Sequence, residues 1–200
     1  MVSNKCAENT PATPDLIKAL YSQSLRRRLD ATEMLVQRGD NTIIPALVDV
    51  IYSDQLEARC AAIFILGQIG DATIIPILLD VMHIENGLLE GPVVIALGDI
   101  GDISIVPDLL QLLRDNYRIG TGVRDTIKAL GQLGDARAVP DLIEILNDNN
   151  DLVAEAAAQA LIKIATTEAW VAVIKFRHPE MSTSEALAAI ENWRRDQEEI

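Results

Sequence analysis

The sequence predicts an all-α fold, a right-handed solenoid of short two-helix repeats about 31 residues long, and three observations carry that prediction. First, a unit Leu-Gly-Gln-x-Gly-Asp with a proline five residues beyond the aspartate recurs. It stands at Leu66 to Asp71 with Pro76, at Leu97 to Asp102 with Pro107 (Asp99 replacing the glutamine), and at Leu130 to Asp135 with Pro140. A worn copy runs from Leu35 to Asp40 with Pro45, so Asp40, Asp71, Asp102 and Asp135 step by 31, 31 and 33 residues. Second, apolar residues inside each period recur at spacings of three and four, the helical signature. Third, the hydrophobic share is 49% while aromatics are 4%, which suits an aliphatic helix-on-helix core.

In chain order, residues 1–13 are rich in Asn, Thr and Pro and read as a flexible N-terminal segment. The array spans 14–178. It opens on a half repeat, because Pro14 lies 31 residues before Pro45 and Pro14-Asp15-Leu16-Ile17 echoes Pro140-Asp141-Leu142-Ile143. Within a period, Ala62, Ile65, Leu66 and Ile69 mark a first helix; Leu78, Leu79 and Met82 mark a second. Gly70 suits the left-handed residue that ends the first helix, Asp71 suits a cap for the second, and Pro76 falls in a first turn, where a missing donor costs least. The second helix starts at Ala72 or nearer Pro76; the pattern leaves both open. At the far end Leu161 keeps the register, but Ala165, Thr166 and Val171 replace Gly, Asp and Pro, so this copy is expected to lack the punctuation. Residues 179–200 read as a capping helix with a polar tail: Ser182-Thr183-Ser184-Glu185 is a capping box, and Trp193 with Trp170 is expected to seal the last apolar face.

The period breaks in two places. Asn86-Gly87-Leu88-Leu89-Glu90-Gly91-Pro92 interrupts what would be continuous helix and predicts a shortened first helix, and Tyr117 to Gly122 holds the two additional residues of the 33-residue step. Such irregularities tend to map to one face and are either a second candidate contact site or tolerated loop drift.

Composition excludes several functions. A net charge of −13 and a pI near 4.5 present a repulsive field to nucleic acid. The one basic run, Arg26-Arg27-Arg28, has Asp30 and Glu33 a turn away and reads as a solvated helix face. No apolar run approaches the roughly 18 residues that cross a bilayer, and no apolar segment follows Met1 to Lys5 to act as a signal, so membrane insertion is not expected and a cytoplasmic protein is. Two cysteines make neither a disulfide framework nor a thiolate zinc site; Cys60 reads as a small buried apolar residue and Cys6 as the accessible thiol. His83 and His178 have no ligand-spaced companion, and the recurring aspartates have a structural task as caps. No catalytic, metal-binding or cofactor-binding residue is assigned, and no cofactor is expected.

Function is then expected on a surface. Aligning the second helices on their prolines puts Asp49, Asp80, Gln111 and Glu144 at position four, facing away from the buried leucines. Position seven holds Tyr52, His83, Arg114 and Asn147, and position one holds Ala46, Ile77, Asp108 and Asp141, on the same helix face. Second helices of such arrays line the concave side, so Asp49, Tyr52, Asp80, His83, Gln111, Arg114 and Glu144 are the predicted ladder that binds a partner protein. Tyr52, His83 and Arg114 are its most telling members.

The tract from Arg59 to Leu146, and above all Ala-Leu-Gly-Gln-Leu-Gly-Asp-Ala-Arg-Ala-Val-Pro-Asp-Leu-Ile from Ala129 to Ile143, resembles the short HEAT-type repeats named after phycobilisome lyases. The resemblance covers Pro14 to about Lys175. It implies a role among bilin lyase subunits, phycobilisome-degradation factors, iron-sulfur and other assembly adaptors, or engineered binders. Lyases of this group attach a linear tetrapyrrole to a phycobiliprotein cysteine, generally as paired repeat subunits. The chain carries neither the aromatic-rich basic segments associated with chromophore contact nor the paired His-Glu motifs of the deoxyhypusine hydroxylase type, and its irregular repeats argue against a consensus design. The expectation is a non-enzymatic adaptor for another protein: a phycobiliprotein, a second repeat subunit or an assembly factor. The alternative is a phycobilin lyase subunit, with phycobilin as cofactor and Arg114 or Arg118 as the basic partner of its carboxylate.

Overall fold

The computed structural model describes residues 11–83, 87–117 and 122–198, so that Cys6, Asn86 and Arg118 lie outside the described residues, as does the side chain of His83. Twelve α-helices and no strand occur among the described residues, and the architecture is an all-α repeat solenoid. The chain divides into two compact units, Met1–Ala96 and Leu97–Ile200. The first holds α1 (Thr13–Ala19), α2 (Leu25–Arg38), α3 (Ile44–Ile51), α4 (Leu56–Ile69), α5 (Ile75–His83) and most of α6 (Glu90–Ile100). The second holds the end of α6, then α7 (Val106–Tyr117), α8 (Val123–Leu133), α9 (Val139–Ile145), α10 (Asp151–Ile164), α11 (Thr167–Arg177) and α12 (Thr183–Glu198).

The recurring Gly-Asp pair builds the same junction four times. Gly39, Gly70, Gly101 and Gly134 sit at φ of +55°, +74°, +77° and +68°, where a side chain would be strained. The next residue caps: Asp40, Asp71, Asp102 and Asp135 accept from the backbone N–H of Thr42, Thr73, Ser104 and Arg137 at 2.8–2.9 Å. The capped element is a three-residue 3₁₀ turn, and the second helix begins at the residue before each proline, at Ile44, Ile75, Val106 and Val139. Both starting points that the pattern allowed are therefore used, in series. The junctions also touch: the Asn41 side chain donates to Asp71 at 2.8 Å in the first unit, and the Arg137 guanidinium donates to the carbonyl of Ile103 at 2.8 Å in the second.

These hydrogen bonds lower the carboxyl pKa of each aspartate, through the Thr42 and Thr73 hydroxyls at Asp40 and Asp71, the Ser104 amide at Asp102, and the Arg137 guanidinium at Asp135. A depressed folded-state value means stability that is fully present above the unfolded carboxyl range and is lost as pH falls through the folded values. Thermal melts should thus drop as pH is taken below about 4, with a shallower drop in the Asp71→Ala, Asp102→Ala variant. Equal pH slopes for parent and variant would sever the caps from acid sensitivity.

The last junction corrects the expectation of lost punctuation. Ala165 takes the left-handed conformation at φ +59°, and the Thr166 hydroxyl accepts from the Ala169 amide at 3.1 Å. The turn forms with alanine in glycine's place and threonine, itself a good cap, in aspartate's. Ala165→Gly is accordingly expected to stabilise the protein by about 0.5 kcal/mol, relief of the left-handed alanine outweighing glycine's unfolded-state entropy. Chemical denaturation measures it, and a destabilised variant would contradict the strain.

The first helices bury the same leucine of each repeat, Leu35 and Leu66 in the first unit and Leu97, Leu130 and Leu161 in the second, all 0% exposed. The residue after three of these leucines, Gly67, Gly98 and Gly131, has no local explanation in sequence. A Cβ on Gly67 would lie 2.8 Å from the Cα of Ala96, and one on Gly131 would lie 2.7 Å from the Cα of Ala160. On Gly98 it would meet the Cβ of Ala129 at 3.1 Å. The triplet Ala-Leu-Gly is therefore a stacking device, in which glycine of one first helix receives alanine of the next. The run ends at Ile162, which replaces the glycine after Leu161.

At the interruption, Gly87 lies at φ +80° and α6 starts only at Glu90, with 11 residues against 14 in α4. At the C-terminus the capping box forms: the Ser182 amide donates to Glu185 at 2.7 Å and the Glu185 amide to the Ser182 hydroxyl at 3.3 Å. Sealing falls to Ala186 and Ile190, both buried. Trp193 tilts against Trp170 at 6.0 Å between ring centroids but stays 55% exposed, so the tryptophan pair covers the end less completely than expected.

Candidate partner-binding face

In the first unit α3 and α5 turn their leucine, valine and isoleucine positions inward, leaving Asp49, Tyr52 and Asp80 exposed. Tyr52 is the C-cap residue of α3 and is 56% exposed, an aromatic open to solvent on this face. Position one is less open than position four, with Ala46 and Ile77 half-buried.

In the second unit the same face is cross-tied. Arg114 near the end of α7 grips Asp141 in the first turn of α9 through two parallel hydrogen bonds, Nε to Oδ1 at 2.8 Å and Nη2 to Oδ2 at 2.9 Å. Both residues belong to the predicted columns, at positions seven and one of adjacent repeats, and their opposite charges are the sequence signal for the pair. Arg114 thus contributes a fixed guanidinium plane, its charge already matched by Asp141. Gln111 donates to Asp115 at 3.1 Å along α7. Glu144 and Asn147 remain exposed.

Tyr117, one turn beyond Arg114, is a member that the column argument missed. Its hydroxyl donates to Asp148, and that bond, with added desolvation and the nearby negative charge, pushes the phenol up to about 12. The same bond, with the Asn150 amide, lowers Asp148. Together Leu113, Arg114, Tyr117, Asp141, Glu144 and Ile145 line an open cavity of about 360 Å³ between α7 and α9. The pair was hidden because Tyr117 opens the stretch read as an insertion.

A further element of the face is α11, the second helix of the repeat whose proline is replaced by Val171. Ala172, Lys175 and His178 occupy positions one, four and seven there. A cavity of about 470 Å³ lies between α9 and α11, with Ile143, Leu146, Val171, Ala172 and Phe176 as apolar walls and Glu168 and Lys175 at its polar edge. Counting from Pro140 by 31 would have found these residues.

The other residues singled out behave as scaffold. Cys60 is half-buried, and burial raises its thiol pKa. Arg26 lies 3.9 Å from Asp30 on the exposed surface of α2. Among the described residues no helix is long and apolar enough to cross a membrane, and no group of three His, Cys, Asp or Glu side chains is placed to hold a metal.

By fold the chain is similar to the complex of CpcE and CpcF of phycocyanin lyase from Nostoc sp. PCC7120, with 20% identity and a TM-score of 0.60 over 82% of this chain and 70% of that one. It is also similar to an engineered protein, with 20% identity and a TM-score of 0.54 over 93% of this chain and 98% of the other. No curated protein matches the sequence. The model for HEAT repeats matches residues 44–124 and 123–191, most of the chain. The repeats, their two-helix construction and this match agree, and the chain belongs to the HEAT-repeat family.

Proposed function

We propose that the protein is a non-enzymatic adaptor that holds a partner protein on the face of its second helices, through Asp49, Tyr52, Asp80, Gln111, Arg114 and Glu144, with His83 in the same register. The observation that carries this reading is the contrast on those helices. Their inner positions are buried leucine, valine and isoleucine, while their outer positions are exposed and carry an aromatic, an arginine fixed in place, and carboxylates. Preorganised arginine and exposed tyrosine are what protein interfaces are built on. Net acidity, −13 over the chain, selects a basic partner surface. Repeat arrays bind along extended faces, and the likeness to the complex of CpcE and CpcF supports a protein as the partner.

The test is capture from an extract of the source organism on the immobilised full chain, followed by isotherms with the captured protein at about 0.05 and 0.5 M salt. Affinity is expected to fall at least tenfold at the higher salt. A salt-independent isotherm would overturn the acidic face as the site.

The likeness to phycocyanin lyase subunits favours one second reading, a subunit of a phycobilin lyase acting with a second repeat subunit on a phycobiliprotein. Mixing the purified chain with a free bilin and recording the absorption spectrum separates the two. A shifted, intensified bilin band supports the lyase reading, and an unchanged spectrum supports the adaptor.

A further inference from the structure

The second unit offers two adjoining cavities that share one helix. The α7/α9 cavity is walled by Leu113 and Ile145 and carries the carboxylates of Asp141 and Glu144, with Asp148 bound to the Tyr117 hydroxyl at its margin. Its one cation, Arg114, is committed in both hydrogen bonds to Asp141, so the cavity retains a net negative charge. The α9/α11 cavity is apolar on Ile143, Leu146, Val171, Ala172 and Phe176 and has Glu168 and Lys175 at its edge. The charge of the face thus changes from acidic over α7 and α9 to mixed over α11. A basic group fits the first cavity, whereas the second, with its opposite charges only at the edge, is shaped for an apolar side chain.

We propose that these two cavities are one docking groove for an extended segment of a partner protein that crosses α9 and carries Lys or Arg three residues from a large apolar residue. The spacing comes from the helix between the cavities. A helix with side chains is about 10 Å across, and a chain in the extended polyproline-II form advances about 3.1 Å per residue with three residues per turn, so about three residues link the anchors and both point into the groove. The methylenes of the basic residue lie along Leu113 and Ile145 while its head reaches Glu144. This inference rests on the adaptor reading and narrows its partner.

The experiment pans a displayed library of random dodecapeptides against the immobilised full chain and measures the enriched peptides, dye-labelled, by fluorescence anisotropy on the parent, on Glu144→Lys and on Val171→Glu. Enriched sequences are expected to share a basic residue and an apolar residue three apart. Each substitution is expected to weaken them at least tenfold with circular dichroism unchanged. Basic peptides lacking the apolar residue and indifferent to Val171→Glu would overturn the groove but leave the acidic adaptor face standing. Enrichment of non-basic peptides, or no enrichment, would overturn both. If Val171→Glu unfolds the chain, Phe176→Ser, altering a 38% exposed side chain, supplies the same test.

Discussion

Replacing Gly131 with alanine is expected to destabilise the protein by about 2 kcal/mol, measured by urea denaturation of the purified chain. The new methyl would stand 2.7 Å from the Cα and 2.8 Å from the Cβ of Ala160, distances that real Cβ atoms do not show. Separating α8 from α10 to admit it loosens the packing around Leu130 and Leu161, both 0% exposed, and overpacking of this kind costs about 3 kcal/mol. Alanine's better helix propensity returns about 1 kcal/mol. Gly134→Ala is the control. Nothing lies within 4 Å of its Cβ position, so only the left-handed φ of +68° is at stake, about 1 kcal/mol. Ala160→Gly added to Gly131→Ala should restore part of the loss, because it removes the methyl–methyl clash while the new methyl still presses on the backbone of residue 160. A Gly131→Ala variant as stable as the parent would show that the first helices stack with more freedom than their spacing implies.

The contrast between these two glycines also marks what a sequence discloses. Gly134 and its equivalents announce their reason locally, through the aspartate that follows and the proline beyond it, because helix ends are punctuated by residues adjacent in the chain. Gly131 recurs as Gly67 and Gly98, yet its reason sits at Ala160, in the next repeat, and only three-dimensional stacking brings the two together. The period and the two-helix unit were therefore legible, as were the caps and the capping box. The left-handed Ala165 was not, since alanine rarely takes that conformation. In the site, the outward face of the second helices follows from the register, and so does the opposition of Arg114 and Asp141. The Tyr117–Asp148 tie arises at the additional residues and the α11 cavity at a repeat without its own proline, so aligning only the prolines present, without extending the period beyond Pro140, passed over them.

Reversing Asp80 and Glu144 to lysine is expected to weaken partner binding at least a hundredfold while changing unfolding free energy by less than about 0.5 kcal/mol. Both side chains are exposed, and the structure shows neither in an ion pair that folding depends on. Binding differs because each reversal removes an attraction and places a like charge against a basic partner. Tyr52→Ala should add a further loss of about tenfold, since an exposed aromatic gains most from being covered at an interface. Arg114→Ala separates positioning from charge. It releases Asp141, so if Arg114 serves chiefly as a fixed wall, affinity falls although the cavity becomes more acidic; if charge alone decides, affinity for a basic partner rises. Isothermal titration with the captured partner, beside urea melts of each variant, reads both quantities. Should the quadruple variant bind as tightly as the parent, the second-helix face is not the site, and the glycine-broken stretch from Asn86 to Pro92 takes its place as the leading contact surface.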